Sequence, residues 1–165
     1  MDSGSQYSSD GNPVRYAVAN ASREDLSAHL VRCDPHFVPR LSERLDIVNY
    51  AQKIHDKAVT FEAWNGGSLV GLVAAYMNDP DGREAYVTNV SVEAAFQGMG
   101  VADSLMVRCI QHAREKGLKQ IRLEAAVESD RAVGLYRRLG FRTSEEVGCF
   151  LTMTLVLREG SAGHD

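Results

Sequence analysis

Residues 85–102 read AYVTNVSVEAAFQGMGVA, and the pattern changes partway along. Tyr86, Thr88, Val90 and Val92 alternate with Ala85, Val87, Asn89 and Ser91, the period-two signature of a strand. The glycine-bearing stretch that follows ends it, and from about Val101 a helix is expected with Ala102, Leu105, Met106, Cys109, Ile110 and Ala113 as its buried stripe. Gly117, after Arg114 and Lys116, stops that helix. A strand that turns directly into a helix leaves the first helical N–H groups unpaired and aimed at one point. The helix dipole adds roughly half a positive charge there, and glycines let the backbone approach a phosphate where a Cβ would collide. A diphosphate is the natural occupant of such a loop; a plain tight turn between strand and helix is the other reading.

Downstream, Gln120 to Val127 alternates Ile121, Leu123, Ala125 and Val127, which makes the region a β-loop-α-β crossover. A last helix, about Asp130 to Leu139, is expected to bury Ala132, Leu135, Tyr136 and Leu139, with Gly140 closing it before strands near Phe141–Glu145 and Cys149–Leu157. Upstream, a turn at Asp79-Pro80-Asp81-Gly82 precedes the decisive strand. Before it, Val59–Trp64 and Ser68–Met77 flank Asn65-Gly66-Gly67 and read as an antiparallel hairpin. Earlier still come a strand from Val14 to Ala19 and a helix to about Arg32 opened by Ser22 and Asp25 as a capping box. A second helix, which Ser42 could cap, carries Ile47, Ala51, Ile54 and Ala58 on one face. Residues 1–12 and 160–165 read as flexible ends.

Two familiar phosphate loops fail against this text. A dinucleotide fingerprint begun at Gly98 and Gly100 needs Gly where Asp103 stands, and Glu124, near the place of an acidic ribose ligand, lies on the wrong kind of strand. A Walker loop needs a Gly-Lys pair, which the chain lacks. The segment from Val87 to Phe141 instead resembles the GNAT superfamily of acyl-CoA-dependent N-acyltransferases. Gln97, Gly100 and Ala102 match its Q/R-x-x-G-x-G/A hallmark; Phe96 precedes it, Val90-Ser91-Val92 forms the preceding strand, and Ala132, Leu135, Tyr136, Gly140 and Phe141 fall at the family's spacing.

That resemblance implies an α/β (α+β) single domain over residues 13–159: a mixed, mainly antiparallel seven-stranded sheet flanked by about four helices. The strands ending at Val92 and Val127 should splay apart to admit the pantetheine arm of acetyl-CoA. Val90, Ser91 and Val92 are the implied pantetheine positions, and Gln97, Gly98, Met99, Gly100, Val101 and Ala102 the implied pyrophosphate loop. Ser129, where many relatives have Asn, and Arg131 are further implied contacts, and Ala94 replaces a frequent Pro. Residues 97–142 hold nine basic and five acidic side chains, a balance that suits a phosphorylated nucleotide or simply solvated helix faces.

By the same resemblance Tyr136 donates to the departing sulfur, although its place on an apolar helix face also fits a core residue. A phenol near pKa 10 facing a thiol near 8.5 would lose roughly 2 kcal/mol on full proton transfer, which favours a hydrogen bond. An amine near pKa 10.4 must give up about 4.6 kcal/mol to be neutral at pH 7, so a base is sought among Glu124, Glu84 and Asp79. A main-chain N–H near Val92 would polarise the acyl carbonyl. By the resemblance the acceptor cleft is formed by the first two helices, the Trp64 strand, and Tyr76, Met77, Asn78 and Asp79, whose mixed surface suits a small polar amine; a protein N-terminus or lysine is the other acceptor class.

The whole chain constrains these readings. Its 165 residues suffice for one core without staples, and 18 basic against 22 acidic side chains argue against nucleic acid as partner. The longest apolar run, Leu69–Met77, is half of what a membrane helix needs, and no signal segment opens the chain, so a cytoplasmic location is expected. Cys33, Cys109 and Cys149 sit in apolar segments and read as reduced core residues, and no metal-ligand spacing occurs. The leading expectation is an acetyl-CoA-dependent N-acetyltransferase acting on a small-molecule amine, with homodimers frequent among relatives. An acyl-CoA-binding regulatory module without turnover is the runner-up.

Overall fold

The computed structural model describes residues 6–7 and 13–157. In chain order its elements are β1 (Gln6–Tyr7), β2 (Pro13–Val18), α1 (Arg23–Cys33), α2 (Ile47–Lys57), β3 (Val59–Asn65), β4 (Ser68–Tyr76), β5 (Glu84–Val92), α3 (Val101–Glu115), β6 (Gln120–Ala126), α4 (Asp130–Arg138), β7 (Arg142–Val147) and β8 (Phe150–Val156). The strands lie in the order β1-β2-β3-β4-β5-β6-β8-β7, antiparallel throughout except for β5 beside β6. Apart from the two-residue β1, which pairs Gln6 with Val14 and Tyr7 with Pro13, these are the seven strands and four helices expected. The rest of the expected flexible N-terminal segment and residues 160–165 lie outside the described residues. Among the described residues no helix is long and apolar enough to cross a membrane.

The apolar run in β4 is buried because helices cover both its faces. Leu69, Leu72 and Ala74 join Leu26, Leu30, Ala51 and Ile54 of α1 and α2 in one cluster, while Val70, Val73 and Ala75 join Leu105, Met106 and Cys109 of α3 in the other. Gly71 makes the second contact close: a Cβ there would stand 2.8 Å from Val101 Cγ1 and 3.3 Å from Leu105 Cδ1. The first turn of α3 therefore rests on bare β4 backbone, which fixes the height of the loop before it.

Local chemistry sets the boundaries. Ser22 and Asp25 form the expected capping box, Asp25 N–H donating to Ser22 Oγ and Ser22 N–H to Asp25 Oδ2, both at 3.0 Å. Asp46, not Ser42, caps α2, its Oδ1 accepting from Asn49 N–H at 3.0 Å. Ser42 instead lies in a short 3₁₀ turn and donates its hydroxyl to Asp34 Oδ2. Ser129 stands at the N-cap of α4 without a capping side-chain bond, and α4 buries Val133 where Ala132 was expected. Gly66, at φ +60°, turns the β3–β4 hairpin. Cys33 and Cys109 are buried, and burial pushes both thiols up to about 12; Cys149, expected in the core, is exposed in the β7–β8 turn.

Glu62 of β3 is fully buried and yet surrounded by donors. Its carboxylate accepts from the N–H groups of Asn20 and Ala21, from Trp64 Nε1 at 3.0 Å and from Thr60 Oγ1 at 2.5 Å. These bonds hold the turn between β2 and α1, where Ala19 takes φ +58°. Glu62→Gln puts an amide donor against this ring of donors. It should cost about 3 kcal/mol of unfolding free energy, read from urea titration at unchanged m-value.

Candidate functional site

The parallel register of β5 and β6 runs Glu84↔Gln120, Ala85↔Ile121, Tyr86↔Arg122 and Val87↔Leu123, then stops, although β5 continues to Val92 and β6 to Ala126. On its other side β5 pairs Val87 with Ala75 and Asn89 with Ala74, so Thr88 is an extra residue, a β-bulge. Tyr50 of α2 holds that bulge. Its hydroxyl donates to Thr88 O at 2.8 Å and lies 2.7 Å from Thr88 Oγ1, which can donate in return. Burial pushes the Tyr50 phenol up to about 12, so it stays a donor through the physiological range.

Beyond the bulge the strands enclose a cleft of about 530 Å³. One wall is the free edge of β5. Glu93 N–H donates to Val70 O on the β4 side, so by strand alternation the main-chain groups of Val92 and Val90 face the cleft. Gln97 Nε2 takes one of them, donating to Val92 O at 3.0 Å, while Gln97 Oε1 accepts from Arg131 Nη1 at 3.0 Å. The side chain of Gln97 thus ties the end of β5 to α4 across the mouth of the loop.

The loop has the expected geometry. Gly98 and Gly100 take φ +81° and +78°, which L side chains rarely adopt. Gly100 is the N-cap of α3 and no side chain caps the helix; the first helical bond runs from Ser104 N–H to Gly100 O. The N–H groups of Val101, Ala102 and Asp103 precede it. Arg131 and Arg138 of α4 line the same end of the cleft, Arg138 Nη2 lying 3.2 Å from Asp103 Oδ1. Met99 departs from the expectation: it packs against the core and does not line the cleft.

Tyr136 lines the cleft at 5% exposure. Its ring lies 5.9 Å from that of Phe141, and its hydroxyl has no hydrogen-bond partner among the described residues. Burial pushes its pKa upward. The core reading of Tyr136 accounts for the ring but leaves the hydroxyl without a partner.

The remaining expected site residues divide. Val90, Ser91, Val92, Gln97, Gly98, Gly100, Val101, Ala102, Glu124, Ser129 and Arg131 all line the cleft. Trp64, Tyr76, Asn78 and Asp79 do not. Trp64 donates to Glu62 and packs against the α1–α2 cluster; Tyr76 lies at the end of β4 with Lys53 Nζ 5.4 Å from its ring centroid; Asn78 is exposed. Asp79 organises its turn by accepting from the N–H groups of Asp81, Arg83 and Glu84, bonds that hold its carboxyl below the usual range. Glu84 receives Gln120 Nε2 at 2.7 Å and Arg122 Nε at 3.3 Å. Asp79 and Glu84 share a separate hollow near the start of β5, about 26 Å of strand from Val92.

The far wall comes from the region of the first two helices, as expected, but from the connection between them and not from the helices themselves. The segment between α1 and α2 contributes His36, Phe37, Val38, Pro39, Leu41 and Arg44, faced by Phe150 of β8. The Arg44 guanidinium lies 4.9 Å from the Phe150 ring centroid. These residues follow no periodic pattern, and their only sequence signal is an apolar cluster, FVP, in an otherwise polar connection.

Removing the Tyr136 hydroxyl takes away a buried group without breaking a bond. Tyr136→Phe should keep or gain stability, by up to about 1 kcal/mol at pH 7 in urea titration. The phenol's raised pKa contributes stability fully below about pH 10 and loses it as pH rises beyond; Tyr136→Phe should flatten that alkaline loss.

Comparison with known proteins follows this geometry. Residues 23–141 match the profile of the acetyltransferase (GNAT) family. Mycothiol acetyltransferase of Corynebacterium glutamicum (strain R) is 29% identical over 133 residues, 81% of this chain and 44% of that protein. The N-alpha-acetyltransferase MAK3 of Arabidopsis thaliana is 32% identical over 103 residues, 61% of this chain and 54% of that protein. The chain thus spans about half the length of these relatives. The GNAT domain of S. lividans PAT superposes with TM-score 0.72 at 21% identity, covering 93% of this chain and 96% of that one. PaiA N-acetyltransferase of Thermoplasma acidophilum, solved with coenzyme A, superposes with TM-score 0.69 at 12% identity, covering 86% and 99%.

Proposed function

Because the chain belongs to the acetyltransferase (GNAT) family, we propose that it transfers the acetyl group of acetyl-CoA to the primary amine of a small polar acceptor by direct attack on the thioester. The observation that carries this reading is the unpartnered, buried Tyr136 hydroxyl in a cleft bounded by a free strand edge and an uncapped helix N-terminus. The residues fit the co-substrate. The N–H groups of Val101, Ala102 and the loop from Gln97 to Gly100 would hold the pyrophosphate, with Arg131 and Arg138 near it. The main-chain groups of Val90 and Val92 would hold the pantetheine arm, and an edge N–H would polarise the thioester carbonyl. Ser129 lines the same end, and Ser91 lies between the two valines.

Tyr136 donates a hydrogen bond to the departing sulfur. Because burial raises the phenol's pKa, complete transfer of its proton to a thiolate is less favourable than for a free phenol. Its role is therefore that of a donor that stabilises developing charge. Glu124 is the one foreseen carboxylate in the cleft, and its negative charge draws in the acceptor's ammonium group. The wall from Phe37 to Leu41 with Phe150 encloses the acceptor end, which favours a small molecule over an extended chain. MAK3, named as an N-alpha-acetyltransferase, supports peptide N-termini as the second acceptor class.

Thiol release from acetyl-CoA should be followed with spermidine, glucosamine, free amino acids and short peptides. A small amine should support release, and Tyr136→Phe should lower kcat about 10²-fold while the calorimetric Kd for acetyl-CoA stays within about twofold. Gly100→Val should weaken that Kd at least about tenfold, since Gly100 holds φ +78° beside the proposed phosphate site. Heat of binding without thiol release for any amine would make the chain a binding module. No heat at all would overturn the cleft reading.

A further inference from the structure

A buried polar chain on the α1 side of β5 reaches the cleft and is unused by the roles above. His29 of α1 is fully buried; its Nδ1 lies 3.1 Å from Leu69 O and its Nε2 2.8 Å from Ser91 Oγ. Ser91 Oγ in turn lies 2.7 Å from Asn89 Oδ1, and both Ser91 and Asn89 line the cleft. Around the imidazole stand Cys33 Sγ at 3.7 Å, Glu93 Oε2 at 3.9 Å and Arg32, whose Nε lies 2.6 Å from the same carboxylate oxygen. Arg32 Nη2 also donates to Leu69 O at 3.0 Å. His29 and Arg32 together hold the Glu93 carboxyl below the usual range against the opposing effect of burial.

Counting protons shows that this chain has two satisfied states. A carbonyl only accepts, so Nδ1 carries a proton and donates to Leu69 O. If His29 is neutral, Nε2 is an acceptor and must receive the single Ser91 proton, so Ser91 Oγ no longer donates to Asn89 Oδ1 and instead accepts, from the Cys33 thiol beside it or from an Asn89 amide turned against its contact with Tyr50. If His29 is protonated, Nε2 donates to Ser91 Oγ, Ser91 donates to Asn89 Oδ1, and Glu93 balances the charge added beside Arg32. The two states differ by one proton on Nε2 and by the direction of every bond from there to the cleft.

We propose that His29 receives, through the Ser91 hydroxyl, the proton that the acceptor nitrogen loses during acetyl transfer. The inference rests on the acetyl-transfer reading and names the proton's destination in that same site. The acceptor enters as an ammonium ion and first loses one proton to solvent water; the neutral amine nitrogen then bonds to the acetyl carbon as the carbon–sulfur bond breaks and its electron pair leaves on sulfur. The nitrogen's proton passes to Ser91 Oγ while the Ser91 proton passes to His29 Nε2. The relay then runs backward, and the proton leaves through Ser91 to the thiolate or to water. A neutral Nε2 already accepts the Ser91 hydroxyl proton as a hydrogen bond, so taking that proton outright needs no movement of the ring. Glu124, exposed at the cleft, keeps its role of attracting the cation.

The test combines histidine-ring ¹⁵N spectra with kinetics. His29 signals, assigned by their loss in His29→Gln, should show the Nδ1–H form when neutral. On acidification the Nε2 proton should appear with a midpoint shared by the Asn89 side-chain amide. For the amine giving the fastest thiol release in the panel above, kcat/KM should fall with acidity at that midpoint. His29→Gln and Ser91→Ala should each lower kcat/KM about 10²-fold and abolish the limb at that midpoint, and together cost no more than either alone; His29→Gln, at a residue that does not line the cleft, should leave the acetyl-CoA Kd unchanged. Ser91→Ala deletes a single hydroxyl and carries the kinetic test if His29→Gln does not fold. Thiol release that keeps its rate and acid limb in Ser91→Ala overturns the relay alone, as does an Nε2–H neutral form. Absence of thiol release with every amine overturns the transfer reading and the relay with it.

Discussion

Everything in this site depends on one interruption: β5 and β6 stop pairing after Val87 and Leu123 while both strands continue. A parallel pair that parts in mid-sheet exposes main-chain donors and acceptors that burial would otherwise penalise. The protein meets that cost with side chains. Tyr50 satisfies the carbonyl of the bulged Thr88, and Gln97 satisfies the carbonyl of Val92. The parting is therefore a built feature, held open from the α2 side at its start and from the loop at its end. The remaining groups on the β5 edge and the first N–H groups of α3 face the same space.

The height of α3 follows from a second close contact. With Gly71 under Val101, the helix sits against β4 without an intervening side chain, so its N-terminus opens into the gap where β5 leaves its partner. The run SLVGLVAAY of β4 thus serves two purposes, a core buried on both faces and a seat for the glycine loop before α3. A larger residue at position 71 would have to lift the helix or displace Val101.

The fold was legible where a pattern repeats. Alternation from Ala85 to Val92, the stripe from Leu105 to Ala113 and the glycines at 98, 100, 117 and 140 placed β5, the loop, α3 and the end of α4 within a residue or two. The backbone of the loop was legible for the same reason, because its glycines are local in sequence; Tyr136 was singled out by the resemblance, its helical spacing alone reading as core. The far wall of the cleft was not legible. Phe37 to Leu41 lies in an irregular connection, and which surface such a segment covers is decided by contacts distant in sequence, here that of Arg44 with the Phe150 ring. Trp64, Tyr76, Asn78 and Asp79 were expected at the acceptor cleft from the resemblance, yet Trp64 and Asp79 spend their polar atoms on Glu62 and on a turn. The Ser42 cap failed similarly, since a nearer oxygen, that of Asp46, competes for the same N–H groups.

Hydrogen-bond saturation separates scaffold from site in this protein. Glu62 is as buried as His29, but every partner of Glu62 is a donor and every bond is made, so the group has one state and nothing to exchange. The bonds of the His29–Ser91–Asn89 chain can run in either direction, with one more proton on Nε2 in the second, which gives the chain two satisfied states. Among the described residues the Tyr136 hydroxyl lacks any partner. Burying an unpaired hydroxyl costs about 1 to 3 kcal/mol. A fold that elsewhere saturates its buried carboxylate retains that cost only where an incoming group completes the bond. The Tyr136 hydroxyl and the Ser91–Asn89 end of the two-state chain line the cleft between β5 and β6, and the saturated carboxylate does not.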